Sequence, residues 1–371
     1  MTEIMVEGET FNVLSEGDEA NPVLMLAHPI ATNLSYWDPQ VPAFLEHFRV
    51  VRYDCRGHGA TRANDGPYSI ERLGRDAIAI LDALGIEKTH WLGVSMGGMV
   101  GLWLLINARE RIGRAVLAGT AAQMPGPDMW NNRIRFARQN GMEAVAEASA
   151  ERWFTKSFRE AEPEKVERVL AMVRQSPLHG YLAACGALRD MDLREAMRGI
   201  TNKVLLIAGR HDPSTPTGMS ALIASAIEGA ELVTLEAAHL SNIEDEANFT
   251  KAAIEFLTAP EVAAPVRAPR RRIARKAAAR KGAAKKAAAR KAGPRKGVRT
   301  AAVARKGSRK PAAKKTAGRR VTSKKGAVKK TRAAKIARRV PGRGAAPKEA
   351  VTRAAGRRRA AAKRKLAKRR R

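Results

Sequence analysis

After Phe256 the chain contains no aromatic residue, and from Arg267 onward it carries 44 of its 69 lysines and arginines against a single acid, Glu349. A segment with one sign of charge and no aromatics cannot bury enough apolar surface to offset its chain entropy, so it is expected to be disordered on its own. Folding is thereby confined to residues 1–259, with residues 260–371 read as an Ala/Lys/Arg-rich tail. The tail from Arg267 has a formal charge of +43, whereas everything before it sums to −10; the whole-chain value of +33 describes neither part. All five tryptophans lie in the body, and its length suits one large α/β domain of about 250 residues.

Within the body, short aliphatic runs alternate with longer helical patterns. Strands are expected at "PVLMLAH" from Pro22, "RVVRYDC" from Arg49, "THWLGV" from Thr89, "RAVLAG" from Arg114, "KVLLIAG" from Lys203 and "ELVTLE" from Glu231. These runs are nearly continuous in apolar residues, as strands buried on both faces should be. Between them "SIERLGRDAIAILDALG" reads as an amphipathic helix with Ser69 as N-cap and Gly85 just past its end. Such alternation implies a mostly parallel sheet with helices on both faces. One interval breaks the rhythm: from Ala121 to Gly199 only helical patterns occur, such as "MEAVAEASAERWF" and "PEKVERVLAMVRQ". We therefore expect a core made of residues 1–120 and 200–259, with a helical cap at 121–199 inserted over the strand ends.

The chemistry centres on Gly93-Val94-Ser95-Met96-Gly97, a G-x-S-x-G pattern between a strand and a helix. So tight a turn leaves no room for bulk two residues either side of the serine, and it projects the hydroxyl above the sheet. Alone, the pattern also fits a glycine-rich packing turn. A serine nucleophile needs a base, and the base needs an orienting carboxylate. Asp212 follows the strand from Lys203, and His239 follows the strand from Glu231. Singly, Asp212 also fits a turn before Pro213 and His239 a helix cap; together with Ser95 they occupy the C-terminal edge of one sheet, where ligands bind in open α/β folds. An anion receptor for the tetrahedral intermediate is expected in "AHPIATN", where Pro29 has no amide hydrogen. The donors are therefore expected to be the backbone amides of Ile30 and Met96, with His28 and His58 in structural turns. Neither a dinucleotide nor a phosphate-cradling glycine pattern occurs, no metal spacing is found, and no cofactor is called for.

Taken together, "YWDPQVPAF", "VVRYDCRGHGAT", "LGVSMGGMVG", "AERWFTKSF", "GYLAACGALRDMDLRE", "LLIAGRHDPSTP" and "EAAHLSNIEDEANF" resemble the 3-oxoadipate enol-lactonase branch of the α/β-hydrolase superfamily. The order Ser, Asp, His along the chain matches that superfamily, and the resemblance covers roughly residues 5–258. It implies a cofactor-free serine esterase that opens a small anionic lactone ring. The substrate's free carboxylate, carried into a capped pocket, requires a cation. Arg133, Arg135, Arg138, Arg152 and Lys156 are the cap's candidates, with Arg152 beside Trp153 first and Arg133 second. Trp37 and Trp153 are read as pocket walls or as ordinary core.

The tail resembles those of linker histones and bacterial histone-like proteins, with "AAKK" and "AAARK" recurring without a strict period. Non-specific binding to nucleic-acid phosphates, or to another polyanion, is expected. The alternatives are a tail that folds back on the acidic body and an extension without effect. The N-terminus is acidic where a signal peptide would be basic, and "MVGLWLLI" from Met99 is far shorter than a membrane span of about 20 residues. A cytoplasmic protein with no membrane partner is expected, the nucleoid being one destination for its tail. Two other functions fit the same residues: a carboxylesterase or haloperoxidase-like hydrolase of another small ester, and a nucleoid-binding protein with an inert hydrolase-like body.

Overall fold

The structure, a computed structural model, describes residues 2–6, 8–61 and 66–260. The tail expected to be disordered lies outside the described residues from 261 onward.

Among the described residues eight strands form one sheet: β1 (Thr2–Val6), β2 (Glu9–Glu16), β3 (Val23–Ala27), β4 (Arg49–Tyr53), β5 (Thr89–Val94), β6 (Ile112–Ala118), β7 (Val204–Gly209) and β8 (Glu231–Leu235). Their order across the sheet is β1-β2-β4-β3-β5-β6-β7-β8. From β4 to β8 every neighbouring pair is parallel; β1 and β2 pair antiparallel with each other, and β2 antiparallel with β4. All six strands expected from the apolar runs are present. The β1–β2 hairpin is an addition, turned at Gly8, whose φ of 84° is in the left-handed region.

The helices are α1 (Val41–Leu45), α2 (Ile70–Ala83), α3 (Met96–Asn107), α4 (Pro127–Trp153), α5 (Lys156–Ala161), α6 (Pro163–Gln175), α7 (Leu178–Asp190), α8 (Thr217–Ala226), α9 (Ser241–Glu244) and α10 (Glu246–Thr258). In α2 the Ser69 side chain accepts from the Arg72 amide, and Gly85 takes φ 68° just past the end. Both termini of that helix are where the sequence puts them. Helix α3, which follows the serine, is apolar nearly all round because the sheet covers one side and α2 the other; Leu102, Leu104 and Val100 are fully buried. A helix without a polar face is stable only in such surroundings.

Helices α4 to α7 fill the stretch between β6 and β7. Helix α4 is kinked at Gly141 (φ 77°), so its 27 residues form two helical segments. An isolated antiparallel bridge between Gln123 and Asp192 joins the start of this helical insertion to its end. Cys55 and Cys185 are buried free thiols. Among the described residues no helix is long and apolar enough to cross a membrane.

Candidate active site

Strand β5 delivers Ser95 into a backbone conformation that L-residues rarely adopt, φ 56° and ψ −115°. Such strain persists only where neighbouring structure over-determines it. Here the Ser95 amide donates to the Ala118 carbonyl of β6 at 2.8 Å, and the Ser95 carbonyl accepts from Met99 N at 3.0 Å and Thr120 Oγ1 at 3.1 Å. The two flanking glycines are sterically required. A Cβ on Gly93 would lie 2.2 Å from the Gly97 carbonyl oxygen, and one on Gly97 would lie 2.1 Å from that of Ala27.

Ser95, His239 and Asp212 are brought into one hydrogen-bonded chain. His239 Nε2 is 3.0 Å from Ser95 Oγ, and His239 Nδ1 is 2.8 Å from Asp212 Oδ2. All three are at least nine-tenths buried. Asp212 sits three residues past β7, where its Oδ1 accepts from the amides of Ser214 (2.7 Å) and Thr215 (3.0 Å), while Oδ2 also accepts from Thr215 Oγ1 at 2.7 Å. Burial alone would raise the Asp212 carboxyl; the interaction with His239 and the hydrogen bonds from His239 and Thr215 outweigh it and hold the group below the ordinary carboxylate range. An ionised Asp212 keeps a proton on Nδ1, leaving Nε2 free to accept the Ser95 proton.

The loop carrying Ile30 is fixed by His28. Burial pulls this imidazole down to about 4, so it is neutral; its Nε2 accepts from the Cys55 amide (2.9 Å) and its Nδ1–H donates to the Pro29 carbonyl (2.8 Å). Thr32 Oγ1 donates to the same carbonyl at 2.8 Å. Ala31 next door has φ 64°. Among the described residues neither the Ile30 nor the Met96 amide is hydrogen-bonded to another protein group, leaving both donors available as an oxyanion hole requires. His58 is likewise neutral and buried, its Nδ1–H donating to the Arg56 carbonyl at 3.0 Å.

In the insertion, Arg133 and Arg152 lie close enough for the charge of Arg133 to act on Arg152. Burial first, and then that repulsion, pull the Arg152 guanidinium below its ordinary range. Arg133 Nε donates to Tyr181 Oη at 2.7 Å, and its guanidinium stacks over the rings of Trp130 (5.2 Å) and Tyr181 (5.8 Å). Arg152 Nη2 donates to Ser149 Oγ at 3.1 Å. Among the described residues neither arginine is ion-paired, and two buried donors there, Arg152 Nε–H and Trp130 Nε1–H, have no acceptor. Arg135, Arg138 and Lys156 are exposed. Trp37 and Trp153 are packed into the hydrophobic core, 0% and 2% exposed. The Trp153 carbonyl accepts from the amide of Leu240, immediately after His239, at 3.2 Å.

Three contributors escaped the sequence reading: Thr215, Trp130 and Tyr181. Thr215 had a weak signal, a hydroxyl three residues after the acid in "HDPST". The others had none, because their partners are distant in sequence. Among the described residues no group of three or more His, Cys, Asp or Glu side chains is placed to hold a metal ion.

The sequence matches the α/β hydrolase fold family over residues 22–246. The chain belongs to that family. It is a hydrolase, 38% identical to 3-oxoadipate enol-lactonase 2 of Acinetobacter baylyi over 65% of its own length and 90% of that protein's. Among solved structures it is similar to the enol-lactonase of Burkholderia xenovorans, with a TM-score of 0.68 and 38% identity, covering 69% of this chain and 100% of that one. A hydrolase from Pseudomonas aeruginosa gives the same TM-score at 40% identity, covering 70% and 98%.

Proposed function

We propose that the protein is a serine lactonase that opens 3-oxoadipate enol-lactone to 3-oxoadipate. The observation that carries this reading is the unbroken chain Ser95–His239–Asp212, at 3.0 and 2.8 Å; a helical insertion holding two arginines that among the described residues make no ion pair supports it. His239 takes the Ser95 proton as Oγ adds to the lactone carbonyl, and the amides of Ile30 and Met96 receive the oxyanion. Collapse breaks the ring C–O bond. The departing oxygen leaves as an enolate, takes the proton from His239 and tautomerises to the ketone. That step removes the nucleophile which could re-close the ring. Water, deprotonated by His239, then attacks the acyl-enzyme; the C–Oγ bond breaks and the proton returns to Ser95. Arg152 and Arg133 hold the substrate's carboxylate.

The names of the relatives support the lactone over a simple ester, and the arginine pair supports an anionic substrate. The discriminating measurement compares 3-oxoadipate enol-lactone with phenyl acetate, for wild type and Ser95→Ala. We expect kcat/KM to favour the lactone and Ser95→Ala to lose at least roughly a thousandfold in kcat. A Ser95→Ala rate within tenfold of wild type rejects Ser95 as nucleophile, and a preference for phenyl acetate replaces the lactone with an uncharged ester.

The tail, on its charge of +43, is read as a binder of nucleic-acid phosphates or another polyanion, with strong salt dependence and no base readout. Its lack of aromatics argues against stacking on single strands. A chain ending at Pro260 is expected to keep full lactonase activity and lose retention of duplex DNA in gels at moderate salt. Equal retention by the shortened and full-length chains overturns this division of labour.

A further inference from the structure

His239 is the moving part of the proposed mechanism, yet it lies on an irregular loop between β8 and α9. What fixes that loop is a carboxylate outside the triad. Glu244, the last residue of α9, accepts the Ala238 amide on Oε2 at 3.0 Å. The same carboxylate accepts the Thr155 amide on Oε1 at 3.3 Å and Oε2 at 3.2 Å, and also the Thr155 hydroxyl. Thr155 is the N-cap of α5, where its hydroxyl in turn accepts the Phe158 amide at 3.2 Å. On the other side of the histidine, the Leu240 amide donates to the Trp153 carbonyl, which closes α4. The residues immediately before and after His239 are thus both tied to one short stretch, 153–155, of the helical insertion. That stretch directly follows Arg152.

We infer that Glu244 is a positioning residue that joins the catalytic base to the helical insertion, so that the anion-binding end of α4 and the imidazole move as one body. This rests on the catalytic reading of Ser95 and His239 given above. The physical case is specific to the carboxylate. Three donors from two segments converge on it, and hydrogen bonds to a charged acceptor are about twice as strong as neutral ones. Removing it leaves the amides of Ala238 and Thr155 without their acceptor, so both segments must relax. A displacement of about 1 Å in a catalytic group costs on the order of a hundredfold in rate.

The test uses the full chain and its variants Glu244→Ala, Glu244→Gln and Thr155→Val. Functional sites are first counted by stoichiometric labelling with a fluorophosphonate, and kcat per labelled site is then measured with phenyl acetate, which needs no anion contact. Glu244→Ala is expected to lose tenfold or more in kcat per labelled site with KM changed less than twofold. Glu244→Gln, which keeps an acceptor oxygen, should recover most of that loss. Thr155→Val removes only the hydroxyl donor and should show a smaller fall in the same direction, which keeps the test decisive if Glu244→Ala does not fold. Wild-type kcat per labelled site in Glu244→Ala, or in Thr155→Val where that alone can be made, overturns the inference and leaves Glu244 a purely structural clamp. Labelling of a Ser95→Ala control at the wild-type rate would instead sink the catalytic reading, whatever Glu244 does.

Discussion

Acid should weaken the fold through its two fully buried histidines, one of which anchors the oxyanion loop. His28 and His58 are both 0% exposed, and burial pulls them down to about 4 and about 3 from an unfolded value of 6.5. In His58 the neighbouring His28, with ring centroids 5.5 Å apart, adds to the effect. Each imidazole is neutral in the fold, so below pH 6.5 the unfolded chain binds more protons than the folded one. Stability is therefore full above 6.5 and falls as pH drops from there toward the folded values. Between pH 7 and pH 5.5 each histidine should cost about 1 kcal/mol, and the two together about 2 kcal/mol. Urea unfolding of the full chain, followed by far-ultraviolet circular dichroism at both pH values, reads this directly. The His28→Gln, His58→Gln double variant removes both titrations but leaves every carboxylate, so its loss over the same interval should be smaller by about 2 kcal/mol. Its absolute stability will be lower, since Cys55 N and the Pro29 carbonyl depend on His28, but only the pH-dependent difference matters. Equal losses in wild type and variant would show that the two rings do not titrate between the folded and unfolded states, and the neutral His28 latch would be refuted.

Gly97→Ala should destabilise the protein by about 3 kcal/mol or abolish folding, because the added methyl meets the Ala27 carbonyl 2.1 Å away and backbone must shift to admit it; a Tm within two degrees of wild type contradicts the tightness of this turn. Arg152→Gln should raise KM for the anionic lactone by roughly tenfold to a hundredfold, the range of a lost charged hydrogen bond, while leaving phenyl acetate unchanged; equal effects on both substrates would remove Arg152 from the carboxylate site. Thr215→Val deletes one of the hydrogen bonds that fix Asp212, and steady-state kinetics should show kcat lower by about threefold to tenfold with KM constant.

Strands β3 to β7 were legible because burial on both faces leaves a nearly unbroken apolar run; β8, an edge strand whose Glu231 and Leu232 are exposed, was legible only from its aliphatic run. The β1–β2 hairpin was not, for the opposite reason. Ile4 and Val6 are buried while Met5 between them is 65% exposed, and Phe11 and Val13 alternate in the same way with half-buried Thr10 and Asn12. A strand covered on one face has a period of two, and over five residues flanked by acids that period is lost in the composition. Helix α4 shows a different limit. Its helical pattern is real on both sides of Gly141, but a single glycine gives no advance notice of whether it will bend a helix or sit quietly within it.

At the site, the legible residues are those whose chemistry dictates their identity. The proposed chemistry asks for a hydroxyl to attack, an imidazole to take its proton and a carboxylate to orient that imidazole, and the turn geometry fixes the glycines on either side of the serine. Supporting roles lack that signature. Glu244 and Thr155 are 89 positions apart and meet through groups that any surface glutamate and threonine possess. The arginine pair lies between these cases. Arg152 stood out in sequence only by its neighbour Trp153, with Arg133 second, and what sets the two apart in the structure is arrangement: the charge of Arg133 acts on Arg152, beside the buried Arg152 Nε–H and Trp130 Nε1–H, which among the described residues have no acceptor. A fold gains nothing from holding Arg152 partly desolvated beside the charge of Arg133. Such a pair is stabilised by whatever anion enters between them, and the energy released by ending that repulsion is available to binding. A neutral ester would leave the repulsion in place, which is why the proposed carboxylate site should distinguish a charged lactone from phenyl acetate.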